Sequence, residues 1–203
     1  MHTGLVRASL DNFCVNLTKR AAKNQLDPVW GREKELNRLT TILLKRSKNN
    51  PLILGDPGVG KTAIVEELAR TIANKTCHHD LLDKEILVLD VAGMVAGTSE
   101  RGSLETRLTE VMSEIQENEN IIVMIDEVHM LGTSGNSSNR KTANIDAGTS
   151  IMNILKPALA RGAMTCIGAT TYKEYSRYIR EDKAMERRFQ VIMLDEADAD
   201  GTK

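Results

Sequence analysis

A glycine-rich segment, GDPGVGKT at residues 55–62, places the tightest constraint on the fold of this 203-residue chain. It follows the apolar segment PLIL and precedes IVEELARTI, in which apolar residues recur at helical spacing. Glycines allow backbone conformations that aim several N–H groups at one phosphate, and the N-terminus of a following helix adds partial positive charge. A strand, a glycine loop and a helix in this order predict a phosphate-binding P-loop.

The residues of this segment have distinct expected roles. Lys61 places a positive charge at the β- and γ-phosphates of a nucleotide, and Thr62 offers its hydroxyl to Mg²⁺. A glycine-rich turn without a ligand is the alternative interpretation, and the flanking strand and helix argue against it. The nucleotide-binding residues predicted here are Gly55, Asp56, Pro57, Gly58, Val59, Gly60, Lys61 and Thr62.

Four further apolar segments alternate with helical stretches along the chain, and they are EILVLDV, IIVMIDE, AMTCIGATT and FQVIML. Fully apolar strands separated by helices are typical of a parallel sheet that is covered on both faces. With the strand before the P-loop, they predict an α/β fold with a five-stranded parallel sheet and helices on both faces. The polar stretch 132–150, rich in Gly, Ser and Asn, is expected to form a loop.

Two strand ends carry candidate catalytic side chains. IIVMIDE ends in Asp126, which we expect to reach Mg²⁺ through water, and in Glu127, which we expect to polarise the attacking water as general base. An acid pair that caps the next helix is the alternative. Thr171, at the end of GATT, could orient the same water, although threonine is common at strand ends.

Arg187 and Arg188 precede the last predicted strand. For an isolated pair, salt bridges at the surface would be the favoured interpretation. In a P-loop enzyme, however, charge that develops on the transferred phosphoryl group calls for an arginine finger. A finger far from its own P-loop indicates the site of a neighbouring subunit.

Residues 77–80, Cys-His-His-Asp, are of metal-ligating types, but adjacent residues do not converge easily on one ion. No second half-site appears in the sequence, so we expect an exposed loop. His129 is expected to be a packed residue and not a catalyst.

Composition excludes several classes of function. Acidic and basic residues nearly balance, 28 against 27, and aromatic residues make up only 3% of the chain, so recognition of nucleic acid is not expected. No apolar run approaches 18 residues, which argues against a membrane span. Three widely spaced cysteines fit free thiols in a reducing compartment. A soluble protein of the cytoplasm, or of an organelle stroma or matrix such as that of a plastid, is expected.

In chain order, seven segments resemble the first AAA+ module of the Clp ATPases of the ClpB/ClpC type. They are LDPVWGREKEL, KNNPLILGDPGVGKTAIVEELA, VAGTSERG, IIVMIDEVH, NILKPALARG, CIGATT and ERRFQ. The resemblance extends from about Leu17 to Leu194. It implies an AAA+ large subdomain over residues 17–203, preceded by an extension or linker over residues 1–16. On the same resemblance, we expect the small helical lid, the N-domain and the second ATPase module of the family to be absent from residues 1–203.

The resemblance also implies a function: a subunit of a hexameric ring that hydrolyses Mg-ATP and threads polypeptides as an unfoldase or disaggregase. The implied ligands are ATP or ADP and Mg²⁺, with Thr62 and Asp126 at the metal. Val29 and Trp30 match the adenine-binding segment, Thr171 the sensor, and Arg187 and Arg188 the fingers that act in trans. Implied partners are identical or different Clp subunits and unfolded or aggregated polypeptides, with a ClpP-type protease as a candidate and neither nucleic acid nor membrane.

The pore loop departs from the family pattern. Where the family carries an aromatic residue followed by a basic one, this sequence has Glu100 and Arg101. A hydrated carboxylate offers little apolar surface to an unfolded chain. The alternative function is therefore a nucleotide-binding regulatory or scaffold subunit with weakened substrate grip. A nucleic-acid remodeller of the same superfamily is a third hypothesis, and the balanced charge argues against it.

Overall fold

A computed structural model of the protein describes residues 7–95, 101–128 and 154–195. Its strands are β1 Cys14–Asn16, β2 Asn50–Leu54, β3 Glu85–Leu89, β4 Ile121–Ile125, β5 Thr165–Thr170 and β6 Phe189–Met193. Its helices are α1 Ala8–Phe13, α2 Leu17–Ala22, α3 Glu33–Leu43, α4 Lys61–Ala73, α5 Val91–Val95, α6 Arg101–Gln116, α7 at residues 154–161, α8 Tyr172–Glu174 and α9 Lys183–Glu186.

The strands form one sheet in the order β1-β3-β4-β5-β2-β6. Strands β2 to β6 pair in parallel, so the predicted α/β fold with a parallel sheet is confirmed. The sheet has six strands in place of the predicted five because β1 pairs antiparallel with β3. This strand has three residues, Cys-Val-Asn, which are too few to give a recognisable sequence pattern.

The two faces of the sheet carry separate apolar clusters. Helices α6 and α7 pack on one face together with α1, and helices α2, α3 and α4 pack on the other. Alternate residues of β2 face opposite sides, with Leu52 and Leu54 in the first cluster and Ile53 in the second. Every residue of β2 and β4 is buried, which explains why both strands are apolar except for Asn50, whose side-chain oxygen accepts from the N–H of Cys166 at 2.8 Å.

The first described residues belong to this packing. Leu10 of α1 is buried in the first cluster, and the carboxylate of Glu114 in α6 accepts from the backbone N–H of Ser9 at 3.1 Å and of Leu10 at 3.0 Å. Arg7 forms an ion pair of 2.9 Å with Glu85 at the start of β3. Residues 7–16, expected to form an extension or linker, therefore belong to the packed fold, with α1 against α6 and β1 as an edge strand of the sheet.

The helical stretch predicted after β5 is divided into two pieces. Tyr175–Ile179 continues α8 as a π-helical turn, and Asp182 then begins α9 by accepting from the N–H groups of Ala184 and Met185. This capping separates α9 from the preceding turn. Within the described ranges, no helix has the length and apolar content needed to cross a bilayer.

The cysteines provide a test of this packing. Burial and the nearby Glu114 raise the pKa of Cys14 to about 12, and burial alone raises the pKa of Cys166 to about 12. At pH 8 such thiols are ionised to roughly one part in ten thousand. We therefore expect N-ethylmaleimide to modify Cys77 well before the other two, as followed by intact mass.

The variant Cys77→Ser should remove the fast-reacting thiol, and urea should expose the remaining two. Rapid modification of Cys166 in the native protein would contradict the burial of β5.

Candidate functional site

The P-loop connects the C-terminal end of β2 to the N-terminus of α4. Gly58 has φ +86° and Gly60 has φ +94°, values in the left-handed region that glycine adopts without strain. The ammonium group of Lys61 donates to the carbonyls of Gly55 and Asp56, both at 2.9 Å. The predicted loop residues thus form a curved backbone segment with one positive charge held over it.

Gly55 lies between the ends of two neighbouring strands. Its N–H donates to the carbonyl of Thr170 in β5 at 3.2 Å. On its other side, a Cβ atom at this position would lie 2.6 Å from the carbonyl oxygen of Leu194, directly after β6. A side chain here would push two backbone segments apart, so the start of the loop requires glycine.

Thr62 and Asp126 meet across the sheet. The Thr62 hydroxyl donates to Asp126 Oδ2 at 3.0 Å, and Asp126 Oδ1 accepts from the N–H of Glu127 at 2.9 Å. A hydroxyl and a carboxylate side by side are hard oxygen ligands of the kind that Mg²⁺ prefers in phosphate-binding sites. The donor set at this point therefore fits the metal that the sequence analysis expects.

Glu127 has an unusual backbone conformation. Its φ of +51° lies in the left-handed region, which a non-glycine residue adopts at a cost of about 1–3 kcal/mol. Such strain persists where the surrounding structure enforces it, and it clusters at functional sites. The Glu127 side chain is exposed at the same sheet edge as the P-loop.

Thr170 and Thr171, at the end of β5, share one acceptor. The carboxylate of Glu174 accepts from the Thr170 hydroxyl at 3.1 Å and from the Thr171 hydroxyl at 2.8 Å. Thr171 in turn accepts from the N–H of Glu174, which completes a capping box at the start of α8. Sequence reasoning missed Thr170 and Glu174, although the spacing T-x-x-E was a readable capping signal.

The predicted adenine-binding segment is attached to the P-loop helix. The N–H of Val29 donates to the carboxylate of Glu67 at 3.1 Å, and Glu67 also pairs with Arg70 at 2.6 Å. Trp30 is 81% exposed beside this attachment. Glu67, which the sequence analysis did not single out, therefore fixes the position of Val29 relative to α4.

Arg187 and Arg188 lie at the far end of the sheet from the P-loop. Phe189 pairs with Asn50 at the start of β2, whereas Gly55 follows the end of β2. Six residues of extended chain span roughly 20 Å, at about 3.3 Å per residue. The structure therefore does not bring the two arginines to the P-loop of their own chain.

Helix α9, which precedes the arginines, is fixed by Asp182, the residue directly before it. Burial tends to raise the pKa of Asp182, but the hydrogen bond from Lys156 at 2.5 Å and the N–H groups of α9 outweigh it and lower the pKa. Asp182 thus stays ionised and links α9 to α7.

Two other hypotheses from the sequence concern the pore loop and the exposed turn at residues 77–80. Glu100 lies outside the described residues, as does the side chain of Arg101, whose backbone begins α6. His78, His79 and Asp80 offer ligand atoms within 4.8 Å of one another, but all three are exposed on a short turn, as expected for a surface loop.

Comparison with known proteins agrees with this geometry. The family model described as "ATPase family associated with various cellular activities (AAA)" matches residues 51–194, which include the P-loop, Asp126, Glu127 and the two arginines. The chain belongs to the AAA family of ATPases.

Several curated relatives of this AAA domain are Clp proteins. It is 49% identical over 194 residues to an ATP-dependent Clp protease ATP-binding subunit ClpA homolog of Cyanidium caldarium, covering 96% of this chain and 22% of the relative. It is 48% identical to the chaperone protein ClpB of Aquifex aeolicus, covering 94% of this chain and 18% of the relative.

A third relative is the negative regulator of genetic competence ClpC/MecB of Bacillus subtilis, at 48% identity over 95% of this chain and 23% of the relative. Among solved structures, the S. cerevisiae Hsp104-ADP complex matches with a TM-score of 0.79 and 40% identity, covering 93% of this chain and 31% of that chain. The resemblance to the Clp ATPases is confirmed. The chain spans about a fifth of the length of these curated relatives.

The AAA domain offers a direct test of the Glu174 contacts. Glu174→Ala removes the carboxylate that accepts from the hydroxyls of Thr170 and Thr171 and completes the capping box of α8, so we expect the free energy of unfolding to fall by about 1–3 kcal/mol. Glu174→Gln keeps one acceptor oxygen and should lose less. Urea unfolding measures both changes.

The control is Glu181→Ala, which changes an exposed glutamate a few residues further on and should stay within about 0.5 kcal/mol of the wild type. An equal loss in Glu181→Ala and Glu174→Ala would refute the assigned role.

Proposed function

We propose that this AAA domain binds and hydrolyses Mg-ATP, and that hydrolysis drives the unfolding of protein substrates in a ring of Clp-type subunits. The observation that carries the proposal is the 3.0 Å hydrogen bond between Thr62 and Asp126, which joins the P-loop helix to the strand that ends in Glu127. It brings phosphate-binding, metal-binding and proton-accepting groups to one edge of the sheet.

The residues of the loop would hold the nucleotide. The N–H groups of the segment around Gly58 and Gly60, with the N-terminus of α4, bind phosphate oxygens, and Lys61 supplies a positive charge beside them. Thr62 and Asp126 would hold Mg²⁺, which when bound draws negative charge from the phosphate oxygens. Val29 and Trp30, attached through Glu67, are proposed to contact the adenine.

Hydrolysis needs a proton acceptor and an oriented water. Glu127 accepts a proton from the water while the water oxygen attacks the γ-phosphorus. The bond between the γ-phosphorus and the bridging oxygen breaks, and ADP and inorganic phosphate leave. Thr171 is proposed to orient the water, with Glu174 holding its hydroxyl in place.

The position of the two arginines favours assembly. Because they lie roughly 20 Å along the sheet from their own P-loop, Arg187 and Arg188 are proposed to reach the phosphates of a neighbouring subunit. A ring satisfies this requirement for every subunit at once, and a closed arrangement of head-to-tail contacts is a ring. We propose a homo- or hetero-hexamer, with residues 17–203 as the large subdomain of each module.

The relatives suggest the remaining partners. The names ClpB chaperone and Clp protease ATP-binding subunit support unfolded or aggregated polypeptide as substrate and a ClpP-type protease as candidate partner. Two of the relatives come from the algae Cyanidium caldarium and Guillardia theta, which is compatible with a plastid stroma as well as with cytoplasm.

A second candidate function rests on the sequence of the pore loop. Glu100 stands where an aromatic residue would grip a polypeptide, so the subunit could bind nucleotide and complete the ring while other subunits pull. The catalytic groups are the same in both proposals, and they differ only in substrate grip.

The catalytic proposal is tested with Glu127→Gln in the full-length assembled protein. The variant keeps the size and hydrogen-bonding capacity of the side chain but cannot accept the proton, so we expect kcat for ATP to fall by about 10²- to 10⁴-fold with nucleotide affinity little changed. A phosphate-release assay and ATP titration measure the two effects.

Glu119→Gln is the matched control, because Glu119 is exposed just before β4 whereas Glu127 follows just after it. Hydrolysis at the wild-type rate in Glu127→Gln would exclude Glu127 as the general base.

The two candidate functions are separated by Glu100→Tyr, which supplies aromatic surface for contact with an unfolded chain. If this subunit is a scaffold, translocation of a fluorescent unfolded substrate should rise several-fold while ATP hydrolysis without substrate stays the same. Efficient threading by a ring of wild-type subunits alone would contradict the scaffold function.

A further inference from the structure

Arg32, between Gly31 and the first residue of α3, joins three separate parts of the chain. Its Nη2 donates to the carbonyl of Val59 in the P-loop at 3.3 Å and to the carbonyl of Asp195 after β6 at 2.8 Å. Its Nη1 pairs with Glu35 at 3.3 Å, and its side chain is only 13% exposed. A largely buried guanidinium with three acceptors is a fixed structural group and not a mobile surface charge.

The contact with Val59 falls between the two glycines of the loop that have positive φ. Val59 is flanked by Gly58 and Gly60, and a Cβ atom at Gly58 would meet no atom within 4 Å. When the N–H groups of such a loop point at a phosphate, its carbonyl groups point outward and need donors of their own. Arg32 supplies a donor to one of them.

The contact with Asp195 involves the segment after β6 that packs against Gly55, the first residue of the P-loop. Leu194, the preceding residue, donates its N–H to the carbonyl of Leu54 at 2.7 Å, and its own carbonyl lies against Gly55. Arg32 therefore connects the segment packed on Gly55 with the carbonyl at Val59. One side chain thus contacts the P-loop at Val59 and the residue that follows Leu194, which itself packs against Gly55.

We propose that Arg32 is a positioning residue that holds the P-loop in its phosphate-binding shape by fixing the Val59 carbonyl to the end of β6. The inference rests on the proposed nucleotide binding by this loop. The planar fork matters because two carbonyls on separate segments accept from it at defined angles, whereas a lysine ammonium is a single point of charge on a flexible stem. Through this geometry Arg32 would affect phosphate binding without contacting the phosphate.

The test compares Arg32→Ala, Arg32→Lys and Arg38→Ala in the full-length protein. Arg38 is the matched control because it is an exposed arginine on α3, the helix that Arg32 directly precedes. Three quantities are measured: the Kd for ADP by isothermal titration calorimetry, the urea midpoint without nucleotide, and hydrogen–deuterium exchange of the peptide that contains residues 55–61.

We expect Arg32→Ala to raise the Kd for ADP by about tenfold or more, as for the loss of a charged hydrogen bond. Exchange in the P-loop peptide should rise, while exchange in β4 and β5 stays the same. Arg32→Lys should lie between Arg32→Ala and the wild type in both measurements, and Arg38→Ala should match the wild type. A purely structural role would lower the urea midpoint and leave both the Kd and the loop exchange unchanged, and that result would overturn the proposal.

The two proposals fail in different ways. If wild-type protein binds ADP and Lys61→Ala abolishes binding, the loop binds nucleotide, and an unchanged Kd in Arg32→Lys refutes only the role of Arg32. If wild-type protein does not bind ADP, nucleotide binding is refuted, and the exchange data alone decide whether Arg32 shapes the loop. Should Arg32→Ala fail to fold, Arg32→Lys, which retains the charge, decides both measurements.

Discussion

The hydrogen bond between Thr62, at the start of α4, and Asp126, directly after β4, joins the segments that follow β2 and β4, two strands that are not neighbours in the sheet. Strand β5 lies between β2 and β4, and Gly168 of β5 pairs with Leu52 on one side and with Ile125 on the other. Because Leu52 and Ile125 lie opposite the same residue of β5, β2 and β4 end at the same edge of the sheet. The loop after β2 can then cross the end of β5 and bring Thr62 above Asp126, so the candidate site depends on the register of three parallel strands.

Strand β6 lies between the two arginines proposed as fingers and the segment that contacts the P-loop. Its first residue follows Arg188, and the residues after its end contact Gly55 and Arg32. The strand is paired with β2 along its whole length, so its two ends keep a fixed separation. In the proposed ring, the same short strand would therefore relate each subunit's own P-loop to the phosphates of its neighbour.

The sequence predicted those parts of the fold that depend on local pattern. The P-loop was readable because glycine spacing, a preceding apolar strand and a following helix all lie within one short segment. Strand β4 and residues 51–54 of β2 were readable because burial on both faces makes them apolar throughout. Strand β1 was missed because its three residues are too few to show a periodic side-chain signal.

The missed site residues have a different cause. Arg32 donates to carbonyls that lie 27 and 163 positions away in the chain, and any residue type carries a carbonyl, so no sequence pattern marks the acceptors. Glu67 likewise accepts from a backbone N–H, that of Val29, 38 positions away. The residues that touch the nucleotide in the proposed function have recognisable types, whereas the residues that hold them in place act on backbone atoms. The residues that support the P-loop can therefore be identified only in the folded structure, where their side chains meet backbone groups from distant parts of the chain.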